Sequence, residues 1–209
     1  VYPSIDTVWI RNAMEGYRLA RAFSHYGLTN STYKIRYIDI QHLDTPTDRL
    51  GFEHSSLPYA RSLDHRVVVS HRLAAMVPNA IVIPPPVDTA FWRCPYHSES
   101  TTKRLLFVGR FVQQKRPDLF IELCENVPEY GCTMIGGDSE YVHVGVNNTQ
   151  ITIKKWTDDR ETLKREMCSA SHLILTSDNE GVPLVALQGA SCGLRVVGRR
   201  VGAMAEVPG

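Results

Sequence analysis

Short apolar runs alternate with amphipathic stretches along most of the chain. Residues 7–10 read as a strand. Over 13–26, Met14, Tyr17, Leu19, Ala20 and Phe23 fall near helical spacing, and the segment stops at Gly27. Residues 33–40 alternate as a strand, and 66–69 form another. Ser70 is placed to cap a helix running through Met76, and 80–83 is a strand ending in Pro84-Pro85-Pro86. The same alternation restarts with strands at 105–108, 132–135, 151–156, 172–176 and 195–197. Helices are expected at 116–125, at 158–169 and after Pro183.

Strands alternating with helices predict an α/β fold of parallel sheets with right-handed crossovers. In such sheets ligands sit beyond the carboxyl ends of the strands. Two stretches break the pattern. Residues 41–56 are rich in Asp, Thr, Pro, Gly and His and read as a long, functionally suspect loop. Residues 88–103 carry Pro, Cys, His, Ser and Thr without periodicity and read as a linker. The expected organisation is therefore a domain over 1–87, a linker over 88–103 and a second domain over 104–209. The chain starts at Val1 and stops at Gly209 just after a strand–loop signal, so it is expected to be part of a longer protein.

The densest signal is the run from Glu180 to Val197. An acid and a glycine precede Pro183, which suits a first helical position because its fixed φ and missing N–H cost nothing there. A second polar side chain, Gln188, follows eight positions after Glu180. Gly193 is suited to end the helix in a left-handed conformation. Free N–H groups at the helix start then face any anion beside Glu180, which is expected to be exposed. A buried helix with a capping acid would give the same local pattern.

Composition narrows the function classes. Hydrophobic residues make up 43% and charged residues 22%, as in ordinary soluble domains. A net charge of +1 gives no broad basic field for nucleic acid. Cys94, Cys124, Cys132, Cys168 and Cys192 form no CxxC pair and fit a reducing compartment better than a disulfide framework. The sequons at Asn30 and Asn147 are short enough to arise by chance. No apolar run approaches a membrane span, and no repeat or low-complexity segment occurs.

The polar clusters of interest follow strands in the second half. Arg110 comes directly after Val108-Gly109, with Lys115 a few residues on. A planar guanidinium fork and a mobile ammonium together suit a diphosphate, although either cation alone could be an ordinary surface charge. Gly136-Gly137 lets backbone approach a ligand, as a plain turn would also do. Neither GxGxxG nor GxxxxGK[ST] occurs, which argues against a nicotinamide dehydrogenase and a P-loop NTPase. Without HExxH or Cys/His spacing no metal site is expected, and without GxSxG no serine hydrolase. His42, in the long loop after a strand, is the imidazole placed where an active-site group would sit.

Taken together these motifs resemble the retaining glycosyltransferases of the GT-B fold (family 4, group 1 type). That family includes sucrose and glycogen synthase-like and mannosyltransferase-like enzymes. Val82-Ile83-Pro84-Pro85-Pro86-Val87-Asp88 resembles its interdomain V-I-P-N-G-V-D. Leu106-Phe107-Val108-Gly109-Arg110-Phe111 with Lys115 resembles the opening of its donor domain. The run from Glu180 to Val197 resembles E-G-F-P-x-x-x-L-E-A-x-A-C-G-x-P-V-V. Val201-Gly202-Ala203-Met204-Ala205-Glu206-Val207 resembles V-G-G-x-x-E-V. The correspondence runs from about residue 66 to the end and is weak before it.

The resemblance implies a pair of Rossmann-like domains, the first on the acceptor side and represented by its C-terminal part, the second binding the donor. It implies transfer of a hexose-type sugar from a UDP- or GDP-sugar to a glycan, lipid or small-molecule acceptor. Anomeric configuration would be retained, with neither metal nor separate cofactor. Arg110 and Lys115 would grip the diphosphate, and Glu180 would accept hydrogen bonds from sugar hydroxyls. Gly109, Gly181, Val182, Pro183, Leu184 and the helix start would line the donor, with Gly136 and Thr157 near the base. Position 188 would meet the ribose over roughly 12 Å of helix. The family usually has Glu there; Gln188 keeps one acceptor but loses a charge-assisted bond. Pro85 and Pro86 replace Asn and Gly and stiffen the hinge. The alternatives are a nucleotide-sugar epimerase or phosphorylase of the same architecture, and a non-catalytic paralogue binding a nucleotide or protein partner. The implied location is cytoplasmic, with room for a peripheral seat on the cytoplasmic face of a membrane.

Overall fold

A computed structural model describes residues 7–11, 36–41, 65–75, 79–95, 103–137 and 151–207. The chain divides into two units, Val1–Pro85 and Pro86–Gly209. His42, the 13–26 helix, the expected loop beyond Gln41 and both sequons lie outside the described residues.

The first unit contains a four-stranded sheet in the order β1 (Thr7–Arg11), β2 (Arg36–Gln41), β3 (His65–Val68), β4 (Ile81–Val82), and every pairing is parallel. Ser70 caps α1 (His71–Ala74), its hydroxyl accepting from the Leu73 N–H at 3.2 Å. That bond satisfies one of the donors a helix start leaves open. Leu73 turns its side chain into the core.

In the second unit the described strands are β5 (Arg104–Val108), β6 (Gly131–Gly136), β7 (Ile151–Lys155), β8 (His172–Leu175) and β9 (Arg195–Gly198). They form one parallel sheet in the order β7-β6-β5-β8-β9. The helices are α2 (Thr89–Trp92), α3 (Pro117–Asn126), α4 (Arg160–Cys168) and α5 (Leu184–Ser191). Burial follows strand position. Leu105, Leu106 and Phe107 of β5, and Leu173, Ile174 and Leu175 of β8, are buried because helices cover central parallel strands. On the edges, β7 and β9 are mostly exposed or half-buried. One core cluster gathers Leu106, Leu173, Met167, Ala186 and Trp92; a second gathers Leu105, Phe107, Phe120 and Met134.

Two expectations need correction. The first is the linker over 88–103. Its described residues 88–95 contain α2, capped by Asp88 accepting from the Phe91 N–H at 2.9 Å. Trp92 is 2% exposed and belongs to the second unit's core. One helical turn is too short for periodicity to reveal. The second concerns the cysteines. Cys94 is bonded to Cys168 and Cys124 to Cys132, leaving Cys192 free and buried. Linear spacing could not show that Cys94 meets Cys168, 74 positions away, and the eight-residue Cys124–Cys132 separation matches no motif.

Glu166 of α4 ties the sheet to its helix layer. It accepts from Arg104 at 2.6 Å and Lys154 at 2.5 Å. Burial alone would raise its pKa, but these two cations hold it below the ordinary value. The charged form therefore gains on folding. Its contribution is present above the unfolded pKa near 4.3 and fades as pH falls through the lower folded value. Glu166→Gln is expected to lose about 1–2 kcal/mol at neutral pH. In urea titrations the gap to wild type should close towards pH 3; a gap independent of pH would refute the assignment. Among the described residues no helix is long and apolar enough to cross a membrane.

Candidate functional site

The sheet order places a topological switch point between β5 and β8, where the chain's crossovers part to opposite sides. Ligand-facing groups are expected beyond the carboxyl ends of these two strands, and both loops carry them. After β5 come Gly109 and Arg110. Arg110 is exposed and has no ion pair with any described residue. A short 3-10 turn, Gln113–Lys115, then returns Lys115 towards the sheet.

Lys115 is fixed at both backbone groups. Its N–H donates to Val112 O at 2.9 Å, and its carbonyl accepts from the Thr176 hydroxyl at 2.8 Å. The ammonium meets Glu180 Oε1 at 2.5 Å. Ser177, buried after β8, donates its hydroxyl to the same oxygen at 2.6 Å. Glu180 is 7% exposed, which corrects the expectation of an exposed acid. Its two donors offset the loss of water around the buried acid. With both donors on Oε1, Oε2 has no partner among the described residues and can accept from a ligand hydroxyl.

The segment carrying Glu180 is held from two sides. On the β5 side, Asp178 N–H donates to Gln114 O at 2.9 Å, and the Gln114 amide donates to Asn179 O at 2.9 Å. Asp178 also pairs with Arg116 and Arg199. Arg116 holds a left-handed backbone, φ 48°, before Pro117 opens α3. Its hydrogen bonds to Asp118, helped by Asp178, push its pKa well above the ordinary value. On the β9 side, the Ala203 N–H donates to Gly181 O at 2.9 Å. Gly202, at φ 51°, lies against the Glu180 carbonyl so closely that a Cβ would stand 1.7 Å from that oxygen.

Pro183 is the cap residue of α5, one position before the helix, and makes no side-chain capping bond. The N–H groups of Leu184 and Val185 consequently have no partner among the described residues and point outward at the positive end of the helix. Because residues 180–183 are loop, only Leu184 to Gln188 spans helix, about 6 Å. The reach of roughly 12 Å expected from eight helical residues therefore does not apply, because half of that stretch is not helical. Gly193, φ 84°, ends α5 as expected. Its N–H donates to Ala190 O at 2.9 Å and the Leu194 N–H to Gly189 O at 3.0 Å, the paired bonds of a Schellman motif.

These loops open on a cavity of about 850 Å³ lying entirely within the second unit. Gly109, Arg110, Lys115, Thr157, Glu180, Val182, Pro183, Leu184 and Gln188 line it. Gly136 and Gly181 are not on its wall. Gly136 is packed beneath Gly109, where a Cβ would stand 2.3 Å from the Gly109 carbonyl oxygen and 2.7 Å from the Phe111 ring. Its neighbour Gly137 lines the cavity instead. The Gly109 N–H donates to Ile135 O at 3.0 Å, so this amide belongs to the sheet and is not free for phosphate.

Trp156, Asp158, Arg160, Leu163, Trp92 and Val185 also line the cavity, and sequence reasoning missed them. Trp156 is 49% exposed and donates its indole N–H to Asp158 at 2.8 Å. A tryptophan just past the end of a strand was the available signal. Arg160 lies 4.2 Å over the Phe91 ring and 5.8 Å from Trp92. That stack joins α4 to α2 across 68 positions of sequence, so nothing local could announce it.

Residues 102–209 match the model of the family described as Glycosyl transferases group 1. An uncharacterized glycosyltransferase of Methanocaldococcus jannaschii is 28% identical over 109 residues, covering 49% of this chain and 30% of that protein. The chain thus spans less than a third of that relative. Among solved structures, TarM of S. aureus is similar over 91% of this chain and 42% of its own, with a TM-score of 0.71 and 20% identity. The pneumococcal O-GlcNAc transferase GtfA, solved with UDP and GlcNAc, is similar over 84% and 40%, with a TM-score of 0.62 and 15% identity. The fold is that of GT-B glycosyltransferases, and with the family model spanning more than half of its length, the chain belongs to the group 1 glycosyltransferases.

Proposed function

We propose that this chain carries the donor site of a retaining glycosyltransferase that moves a hexose-type sugar from a UDP- or GDP-sugar to a glycan, lipid or small-molecule acceptor. The observation that carries the reading is the Lys115–Glu180 pair at the switch point, on the same cavity as Arg110 and the open amides of α5. Arg110 and the Leu184 and Val185 N–H groups face the diphosphate and stabilise charge as it builds on the leaving nucleotide. These groups neutralise the diphosphate without calling on a metal ion. Glu180 receives the transferred sugar through Oε2 while Lys115 holds Oε1; the pair is neutral, so Arg110 and the α5 amides supply the positive field towards the phosphate. The similar GtfA bound to UDP supports a uridine nucleotide as the first donor to test.

Product analysis by NMR on the full-length protein, with UDP- and GDP-hexoses, tests this reading. Retained anomeric configuration supports it; an inverted product, or an epimerised donor without transfer, rejects it. Nucleotide binding without any product would favour a non-catalytic paralogue. At the ribose end, Gln188→Glu is expected to tighten nucleotide binding about tenfold, roughly 1–1.5 kcal/mol, because a carboxylate forms charge-assisted bonds with ribose hydroxyls. Unchanged affinity by calorimetry would remove position 188 from the nucleotide site.

A further inference from the structure

Three elements that line the cavity also bring together a cluster of sulfur atoms. Trp92 of α2, Arg160 and Leu163 of α4, and Gln188 of α5 line the cavity. Cys94 follows α2, Cys168 ends α4 and Cys192 caps α5. The three Sγ atoms all lie within 4.8 Å of one another. Cys94 and Cys168 are joined, and Cys192 is a free thiol buried beside them, its Sγ 3.9 Å from Met167 Sδ. We propose that these cysteines form an internal thiol–disulfide exchange site, in which Cys192 displaces one partner of the Cys94–Cys168 bond and changes which two walls of the cavity are tied together.

The exchange balances without an outside oxidant. The Cys192 thiolate attacks one sulfur of the disulfide and forms a new S–S bond there. The Cys94–Cys168 bond breaks, and its electron pair leaves on the other sulfur, which takes up the proton Cys192 released. One disulfide and one thiol are present before and after. With Cys94–Cys168 bonded, α2 is tied to α4 and α5 is untethered. After exchange α5, the helix carrying Gln188, is tied to either α2 or α4. Among the described residues the charged group acting on Cys192 is Lys164 of α4; the sulfurs of Cys94, Cys168 and Met167 lie close by, within an apolar core cluster. Burial pushes the Cys192 thiol up to about 11, with Lys164 opposing. Exchange is therefore slow at neutral pH and quickens about tenfold per pH unit on approach to that value, as the thiolate fraction rises.

The test is disulfide mapping of the intact protein, incubated without reductant at pH 7 to 9, quenched in acid, digested at low pH and read by mass spectrometry. The expected result is peptide pairs joining Cys192 to Cys94 or Cys168, accumulating about tenfold faster per pH unit, with Cys124–Cys132 intact. Cys94→Ser treated with oxidised glutathione should give a Cys168–Cys192 link. Wild type that keeps only Cys94–Cys168 throughout would overturn the proposal. So would crossed pairs that involve Cys124 or Cys132, since these report unfolding. The mapping reads covalent bonds and does not depend on any donor, so it stands apart from the test of sugar transfer.

Discussion

Lys115→Met is expected to destabilise the second unit by about 3–5 kcal/mol, the usual cost of leaving one member of a buried ion pair without its partner. Glu180 would keep one donor, Ser177, in a position 7% exposed to water. The double variant Lys115→Met/Glu180→Gln should recover most of that loss, because an amide needs no counter-ion and Ser177 still donates to it. Glu180→Gln alone should fall between, since it leaves Lys115 22% exposed and able to reach solvent. Urea unfolding of the four proteins gives the coupling energy. Equal stability of Lys115→Met and wild type would mean that the pair is not what holds Glu180. All three variants should lose transfer, because the pair fixes the acceptor oxygen that meets the sugar. A Glu180→Gln protein with normal turnover at saturating donor would remove that role.

Gly202→Ala is expected to act on Glu180 from the opposite side and without touching any charged group. A methyl carbon there would stand 1.7 Å from the Glu180 carbonyl oxygen and 2.7 Å from that of Gly181. Both are backbone atoms, so no side chain can swing aside. The left-handed backbone adds about 1–2 kcal/mol for any residue with a Cβ, and overpacking adds about 1–3 kcal/mol. A loss of roughly 2–5 kcal/mol should follow. If the protein remains folded, turnover should fall about a hundredfold, as a displacement near 1 Å of a positioning group typically causes. Nucleotide affinity should change less, since Arg110 follows β5, away from the clash, and the α5 amides are held by their own helix. Wild-type turnover in a folded Gly202→Ala protein would show that the 199–203 loop does not set the position of Glu180.

Much of the fold was legible because each parallel strand is a short apolar run between turn signals. Every described strand was anticipated to within a few residues, for the burial of central parallel strands leaves little room for polar residues. Gly193 announced the end of α5 for a backbone reason that needs no tertiary context. The short helix α2 was missed because one turn has no period, and its membership in the core depends on Trp92 reaching neighbours far along the chain.

For the site, the sequence by itself determined the kinds of groups available and the loops that carry them: Arg110 and Lys115 after one strand, Glu180 and Gln188 around one helix. It determined the fold class and, through motif order, the family. Only the tertiary structure decided how those groups divide the work. Lys115 and Glu180 stand 65 positions apart in sequence, and only the adjacency of β5 and β8 brings them into contact. That contact turned an apparently exposed acid into a buried one with a single oxygen free. Gly136, expected at the ligand, proved to lie under Gly109, and Gly202 proved to press on the Glu180 backbone. The bonding of Cys94 to Cys168 and the stacking of Arg160 on Phe91 likewise join distant segments. Local pattern fixes what a segment can be, because dihedral preference and burial act over a few residues. Partners are fixed by strand order, because the crossovers alone decide which loops meet.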